Sequence, residues 1–286
     1  MKLPILEYKK GDKIETGKYY LNMPNETYHS TSGDSKSSLD VFHQDPYKYF
    51  HRKKKEQTRA MELGSAIHAA ILEPEVFKKE YMLLKELKDR RQPEYKAAVK
   101  AKGEGKVFTN ADCEKIEGMQ KAVWANSEAR DLLLADGYCE ISGFAIDRES
   151  GLPIRHRFDK LACIDGEWWG VDIKKTVSVS ERDFSMSIWK YRYHVQDAIY
   201  SDGFKSITGN ELAGFKFICV EEEYPHKVEI YELCDLSRKI GKDEARMDLN
   251  SLAMYKSGKI QAHNNEQSKI ISLPEFVLSQ YEQEII

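Results

Sequence analysis

Cysteine, proline and long apolar runs are all scarce in this sequence, and each shortage excludes something. The five cysteines, at 113, 139, 163, 219 and 234, are odd in number, and no two are as close as C-x-x-C. That pattern excludes a disulfide framework, a zinc ribbon and an iron–sulfur cluster, and leaves buried free thiols. No stretch approaches the roughly 20 apolar residues of a membrane span. The opening MKLPILEYKKGDKIE sets charges where a secretory signal needs apolar residues, so the expected location is the cytoplasm, with no membrane partner. There are only 8 prolines, and no repeat or low-complexity linker interrupts the chain, so residues 1–286 are expected to form one domain. An excess of positive charge is missing too. The 44 Lys and Arg against 47 Asp and Glu leave a net charge of −3, which argues against a protein that coats nucleic acid.

What is present is apolar mass and an uneven charge. Hydrophobic residues make up 41% of the chain, with 16 Tyr and 11 Phe, enough for a sizeable core. Residues 1–60 carry 12 Lys and Arg against 8 acids, whereas residues 221–286 carry 8 against 13. A basic entrance on a mildly acidic body is compatible with both tallies.

The pattern divides the chain into four stretches. Residues 1–34, broken by Gly11, Gly17, Pro24 and Gly33, read as irregular. Residues 35–136 read as mostly helical: Ser35 caps a helix broken near Pro46, and another runs from Met61 to Leu72 and stops before Pro74. Within this stretch residues 78–108 resist assignment apart from a short strand at 106–108. Asn110 and Ser127 read as caps of two further helices. Residues 137–235 hold the sheet core. Strands at 138–147, 152–164 and 167–175 form an antiparallel meander, followed by helices at 181–188 and 191–204 and a strand pair at 214–222 and 226–233. Residues 236–286 read as a helical extension. The order implies an α/β sheet core flanked by helices.

Chemistry concentrates in two strands of the meander. Residues i and i+2 of a strand share a face, so Asp172 and Lys174 point the same way while Val171 and Ile173 pack behind them. Asp159 lies on the adjacent strand, close enough for both carboxylates to reach one divalent cation. Hard oxygen ligands hold Mg²⁺ or Mn²⁺, and an ammonium beside them can position water or stabilise charge on phosphorus. An isolated Asp-x-Lys is ordinarily a surface ion pair. This one is flanked by Trp168, Trp169, Val171 and Ile173, a poor place for idle charge. Glu140 reads equally as a further carboxylate at the start of its strand or as an edge charge. His68, on an apolar helix, reads as a core histidine or as a neutral metal ligand. Gln196 and Tyr200 are i and i+4 on one helix, which suits either core packing or a shared site.

Taken together, Gly64-x-x-x-His68, Glu140, Asp159, Asp172-x-Lys174 and Gln196-x-x-x-Tyr200 resemble the PD-(D/E)XK nuclease superfamily in its RecB-like branch. The passages LGSAIHAAILEPEVF, GLPIRHRFDK, VDIKKT and YRYHVQDAIYSDGF, with Ser35-Lys36-Ser37-Ser38-Leu39, resemble the RecE type of that branch, exodeoxyribonuclease VIII. The likeness runs from about Tyr28 to Glu232 and is weakest in residues 78–136. It implies a restriction-endonuclease-like core with a central mixed sheet flanked by helices. It implies a metal-dependent exonuclease that digests double-stranded DNA ends 5′ to 3′ and leaves 3′ overhangs. A homo-oligomeric ring, a RecT-type single-strand annealing partner and a phage or prophage setting in a bacterial host are implied as well. By position, His68, Asp159, Asp172 and the backbone carbonyl of Ile173 would hold Mg²⁺ or Mn²⁺, and Lys174 would be the catalytic lysine. Glu140 would help to order the site, and Gln196 and Tyr200 would support it or touch DNA. Lys36, Arg155, Arg157 and the run Arg52–Lys55 are candidates for the lining of the DNA channel or for binding the terminal 5′-phosphate. Phe158 replaces the proline of the superfamily name, and Lys175 replaces a threonine of the nearest relatives. The alternatives are a structure-specific endonuclease on the same fold and a non-catalytic DNA-binding relative.

Overall fold

A computed structural model describes residues 3–53, 57–263, 268 and 270–282. Seven strands form one mixed sheet in the order β1-β2-β5-β6-β7-β8-β9. The stretch read as irregular supplies two of them. β1 (Ile5–Glu7) pairs parallel to β2 (Lys18–Leu21), and β2 pairs antiparallel to β5 (Asp136–Ile146). These strands are three and four residues long, too short for periodicity to reveal them. A short helix, α1 (Asn25–Ser30), follows.

The capping signals locate most of the helices. Ser35 forms a capping box with Ser38 at the start of α2 (Lys36–Gln44), and Pro46 opens α3 (Pro46–Phe50). Thr58 caps α4 (Arg59–Leu72), after which Pro74 begins α5 (Pro74–Glu80) instead of only ending a helix. The stretch that resisted assignment is a small unit of its own. In it β3 (Met82–Leu84) and β4 (Val107–Thr109) pair parallel, joined through α6 (Pro93–Lys102). Then come α7 (Asn110–Ala125) and α8 (Ser127–Leu134), whose cap is Asn126, accepting from Ala129 N–H, where Ser127 was expected.

The meander matches expectation closely, with β6 at Pro153–Ile164 and β7 at Glu167–Thr176. Two helices, α9 (Glu181–Tyr191) and α10 (Tyr193–Thr208), cross over to β8 (Gly214–Glu221), parallel to β7, and β9 (Val228–Glu232) closes the edge. A long helix, α11 (Asp235–Lys256), packs on α10, and α12 (Glu275–Glu282) ends the described chain.

Val171, Ile173, Ile218 and Val220 pack against α4, α7 and α8 on one face of the sheet. Phe158, Phe215, Phe217 and Cys219 pack with Phe184 of α9 and Phe204 of α10 on the other. The chain is thus a central mixed sheet flanked by helices on both faces. No helix among the described residues is long and apolar enough to cross a membrane.

Candidate active site

The sheet forks where the acidic residues lie. β6 and β7 pair from Ile164↔Glu167 as far as Lys160↔Val171 and then part. Beyond that point β6 pairs with β5 and, at Ile154, bridges to Asp34, while β7 pairs with β8. Asp159 and Asp172 are the first residues past the last pair. Asp159 replaces the missing ladder bond with its side chain, its Oδ2 accepting the Ile173 backbone N–H at 2.7 Å.

A second irregularity falls at the same level. Cys139 packs in the α4-side cluster whereas Ile141, two residues on, packs in the α9–α10 cluster, although strict alternation would keep them on one face. The β5–β6 register is unchanged on either side of this point, with Glu140 and Asp159 skipped between Cys139↔Lys160 and Ile141↔Phe158. Both strands reset their pleat together. Glu140 takes the left-handed conformation, φ +47°, which costs a non-glycine residue about 1–3 kcal/mol and is retained where surrounding structure enforces it. Glu140 therefore sits in mid-strand at a kink, where a place at the opening of the strand was expected.

Helix α4 brings His68 onto this kink. One ligand atom from each of His68, Glu140 and Asp159 lies within 4.8 Å of the others. His68 Nδ1 stands 3.2 Å from Asp159 Oδ2. Burial works against a charge on His68, but the carboxylates of Asp159, Glu140 and Asp172 together raise the imidazole to about 9. Burial also raises Glu140, to about 7, with Asp159 adding repulsion. Asp159 itself ends below its ordinary value, because His68 and the Ile173 N–H offset its burial.

Asp172 lies outside that group of three, where the sequence pattern placed it among the ligands. Its Oδ2 stands 2.5 Å from Lys174 Nζ, so the ammonium acts as its counter-ion. Gln196 of α10 bridges the pair, its Nε2 donating to Asp172 Oδ1 at 2.5 Å and its Oε1 accepting from Lys174 Nζ at 2.9 Å. Desolvation still raises Asp172, and Lys174 is raised because Asp172 outweighs its own burial. The ring of Tyr193 lies 4.4 Å from Lys174 Nζ and stacks on Phe217, forming the floor beneath the ammonium. Tyr193 escaped the sequence reading, although it is i−3 from Gln196 on the same helix face, a spacing that could have found it.

The remaining sequence candidates divide. Tyr200 packs edge-on against Phe158 and Phe215 and serves as wall. Lys36 reaches the rim of the site, paired with Asp40 at 2.7 Å and donating to the Tyr191 carbonyl. Arg155 and Arg157 are not free to line a channel. Arg155 donates to the carbonyls of Tyr28, His29 and Thr31, and Arg157 donates to Met23 O at 2.7 Å and Ser142 Oγ at 2.8 Å. Both guanidiniums flank the Tyr28 ring, so they fasten the N-terminal segment onto β6. Lys175 turns to the opposite face from Lys174, where Glu222 neutralises it. Arg52 stacks on Tyr49, while Lys54 and Lys55 lie outside the described residues.

The donor set fits a divalent cation. Two carboxylates and an imidazole converge at a partly buried point, a set of oxygen and nitrogen donors suited to such an ion. His68, Glu140 and Asp159 would hold the ion, with Asp172 released to join them. Such an ion lowers the pKa of bound water and neutralises charge on a phosphoryl oxygen.

A family model described as a PDDEXK-like domain of unknown function (DUF3799) matches residues 42–274. The chain belongs to this PDDEXK-like family. A solved structure described as a "Putative exonuclease" from Eubacterium rectale superposes with a TM-score of 0.61 at 14% identity, covering 91% of this chain and 98% of that one. At that identity the likeness establishes the fold. No protein with a curated description matches the sequence.

Proposed function

We propose that this PDDEXK-like protein is a metal-dependent DNA exonuclease of the RecE type. One observation carries the reading: a three-ligand group at the fork of the sheet lies beside an Asp172–Lys174 pair clamped by one glutamine. Gln196 and Tyr193 hold the half-buried Lys174 ammonium in place beside the three ligands. Within the reaction Lys174 donates to the attacking water or to a non-bridging phosphate oxygen as charge develops there. Gln196 fixes the position of that ammonium, and His68 and Asp159 hold each other in orientation. The RecE-like passages support double-stranded DNA ends as substrate, 5′ to 3′ polarity, 3′ overhangs, a ring of subunits, Mg²⁺ or Mn²⁺ as the ion and a strand-annealing partner. They also support a phage or prophage recombination system inside a bacterial cell.

The test is digestion of linear duplex labelled at each end, with and without chelator. Loss of label from the 5′ side, its abolition by chelator and stalling at blocked 5′ ends are expected. Internal cutting of blocked duplex would move the assignment to an endonuclease on the same fold. Undiminished hydrolysis by purified Asp172→Ala or Lys174→Ala protein would reject this site.

A further inference from the structure

With Arg155 and Arg157 committed to the protein's own carbonyls, the cations that meet a duplex must come from elsewhere. The unit β3–α6–β4 and its flanks supply a concentration of them. Residues 78–106 carry ten Lys and Arg against five Asp and Glu, a net +5, whereas the whole chain carries −3, so the remainder is −8. Several of these cations are neutralised locally: Lys85 by Glu117, Arg90 by Asp112, Arg91 by Asp89 and Lys106 by Glu80. Lys88, Lys96 and Lys100 are exposed and have no acidic partner among the described residues. On α6, Lys96 and Lys100 are i and i+4, on the face opposite Ala98, the one buried residue of that helix. A protein on average acidic thus presents unpaired lysines on a strongly basic segment.

The unit is held to the helix that carries His68. α4 carries His68 and, at its other end, holds β4 through Arg59, whose Nη2 donates to Val107 O at 3.1 Å. Tyr81 and Leu83 pack in the same apolar cluster as Cys139, the neighbour of Glu140. The unit is therefore fastened to α4 and shares the apolar cluster that reaches β5, two of the three elements that build the cation site.

We propose that the β3–α6–β4 unit is a docking surface for the phosphate backbone of duplex DNA, with Lys88, Lys96 and Lys100 as its contacts. The proposal rests on the nuclease reading for its choice of polyanion. Unpaired ammonium groups one helical turn apart suit a regularly spaced row of phosphates, and neutralising phosphates contributes binding whatever the base sequence. The strong net charge of the unit against the acidic remainder orients an approaching polyanion toward it.

The test is the triple variant Lys88→Gln, Lys96→Gln, Lys100→Gln in the full chain, with the triple Lys→Arg variant as its charge-preserving counterpart. Binding of a blunt duplex is titrated against salt in chelator, so that no cleavage occurs. Each lost phosphate contact removes about 0.9 from the slope of log K against log salt, so a fall of about 2–3 and binding at least tenfold weaker at about 0.1 M salt are expected, with the arginine variant restored. If the wild type cleaves duplex, the loss appears in KM. Weakened binding in the variant of a protein that never cleaves DNA would sustain this surface while removing the nuclease reading. An unchanged slope and affinity would overturn the proposal, as would lost binding to an acidic protein with duplex affinity retained.

Discussion

Replacing Glu140 by glutamine should make the chelator-treated protein more stable at pH 8 and far less so at pH 5. The carboxyl is held at about 7 in the fold against an ordinary 4.5, first by burial and then by Asp159. A raised carboxyl binds its proton more tightly folded than unfolded, so its contribution is favourable at low pH. That contribution is lost as pH rises through 7. The difference corresponds to about 3 kcal/mol between pH below 4.5 and pH above 7. Glutamine keeps the shape and removes the charge, relieving the strain only where glutamate would be ionised. At 2–4 °C per kcal/mol for a chain of this size, the melting temperature at pH 8 should rise by roughly 6–12 °C. The assay is thermal or urea unfolding of both proteins across pH 5–8 in chelator, repeated with Mn²⁺. The ion should stabilise the wild type and narrow or reverse the gap, because a bound cation favours the ionised carboxylate. A Glu140→Gln protein less stable than wild type at pH 8, or equally stabilised at pH 5, would refute the reasoning.

Other substitutions separate positioning from packing. Gln196→Leu removes both hydrogen bonds that align Lys174 with Asp172, and kcat for hydrolysis should fall by about a hundredfold; a normal rate would show that Tyr193 alone suffices. Arg157→Gln should destabilise by about 2–4 kcal/mol, since it leaves the Met23 carbonyl and Ser142 without their donor. The salt slope of DNA binding should stay as it was; a lower slope in a fully stable variant would return Arg157 to the DNA interface. Gly203→Ala would place a methyl 2.5 Å from the His156 ring, so urea unfolding should show a loss of about 1–3 kcal/mol. A neutral result would mean that α10 can shift away from β6.

Much of the site's membership was legible because it follows periodicity. Asp172 and Lys174 share a face as i and i+2 of a strand, and Gln196 meets them from a helix whose apolar stripe fixes its roll. The cap at Ser35 and the turns of the meander are local signals, and the elements they bound lie within a few residues of expectation. The two N-terminal strands were not legible. Three or four residues carry too little pattern, and what makes β1 and β2 strands is the exposed edge of β5, which lies more than a hundred residues away in sequence. Arg155 and Arg157 misled for a related reason. A basic residue in a strand reads as surface charge until the carbonyls of a distant segment are found on it.

The kink at Glu140 and Asp159 marks the deeper limit. Alternation along β5 and β6 places each of these residues on a definite face, and that inference fails at this one level because both strands reset together. A one-sided reset would have shifted the register and turned every later side chain to the wrong face, which the buried pairs Ile141↔Phe158 and Ala145↔Ile154 do not permit. The paired reset keeps the core intact and turns two carboxylates out of the pleat toward His68. Nothing in the local residue pattern announces it, since Glu140 is neither glycine nor asparagine and its left-handed backbone is imposed from outside. The same event explains why Glu140 joins His68 and Asp159 while Asp172 stays with Lys174. The pleat resets on β5 and β6 and not on β7, so the strand bearing the lysine keeps the alternation that its sequence dictates.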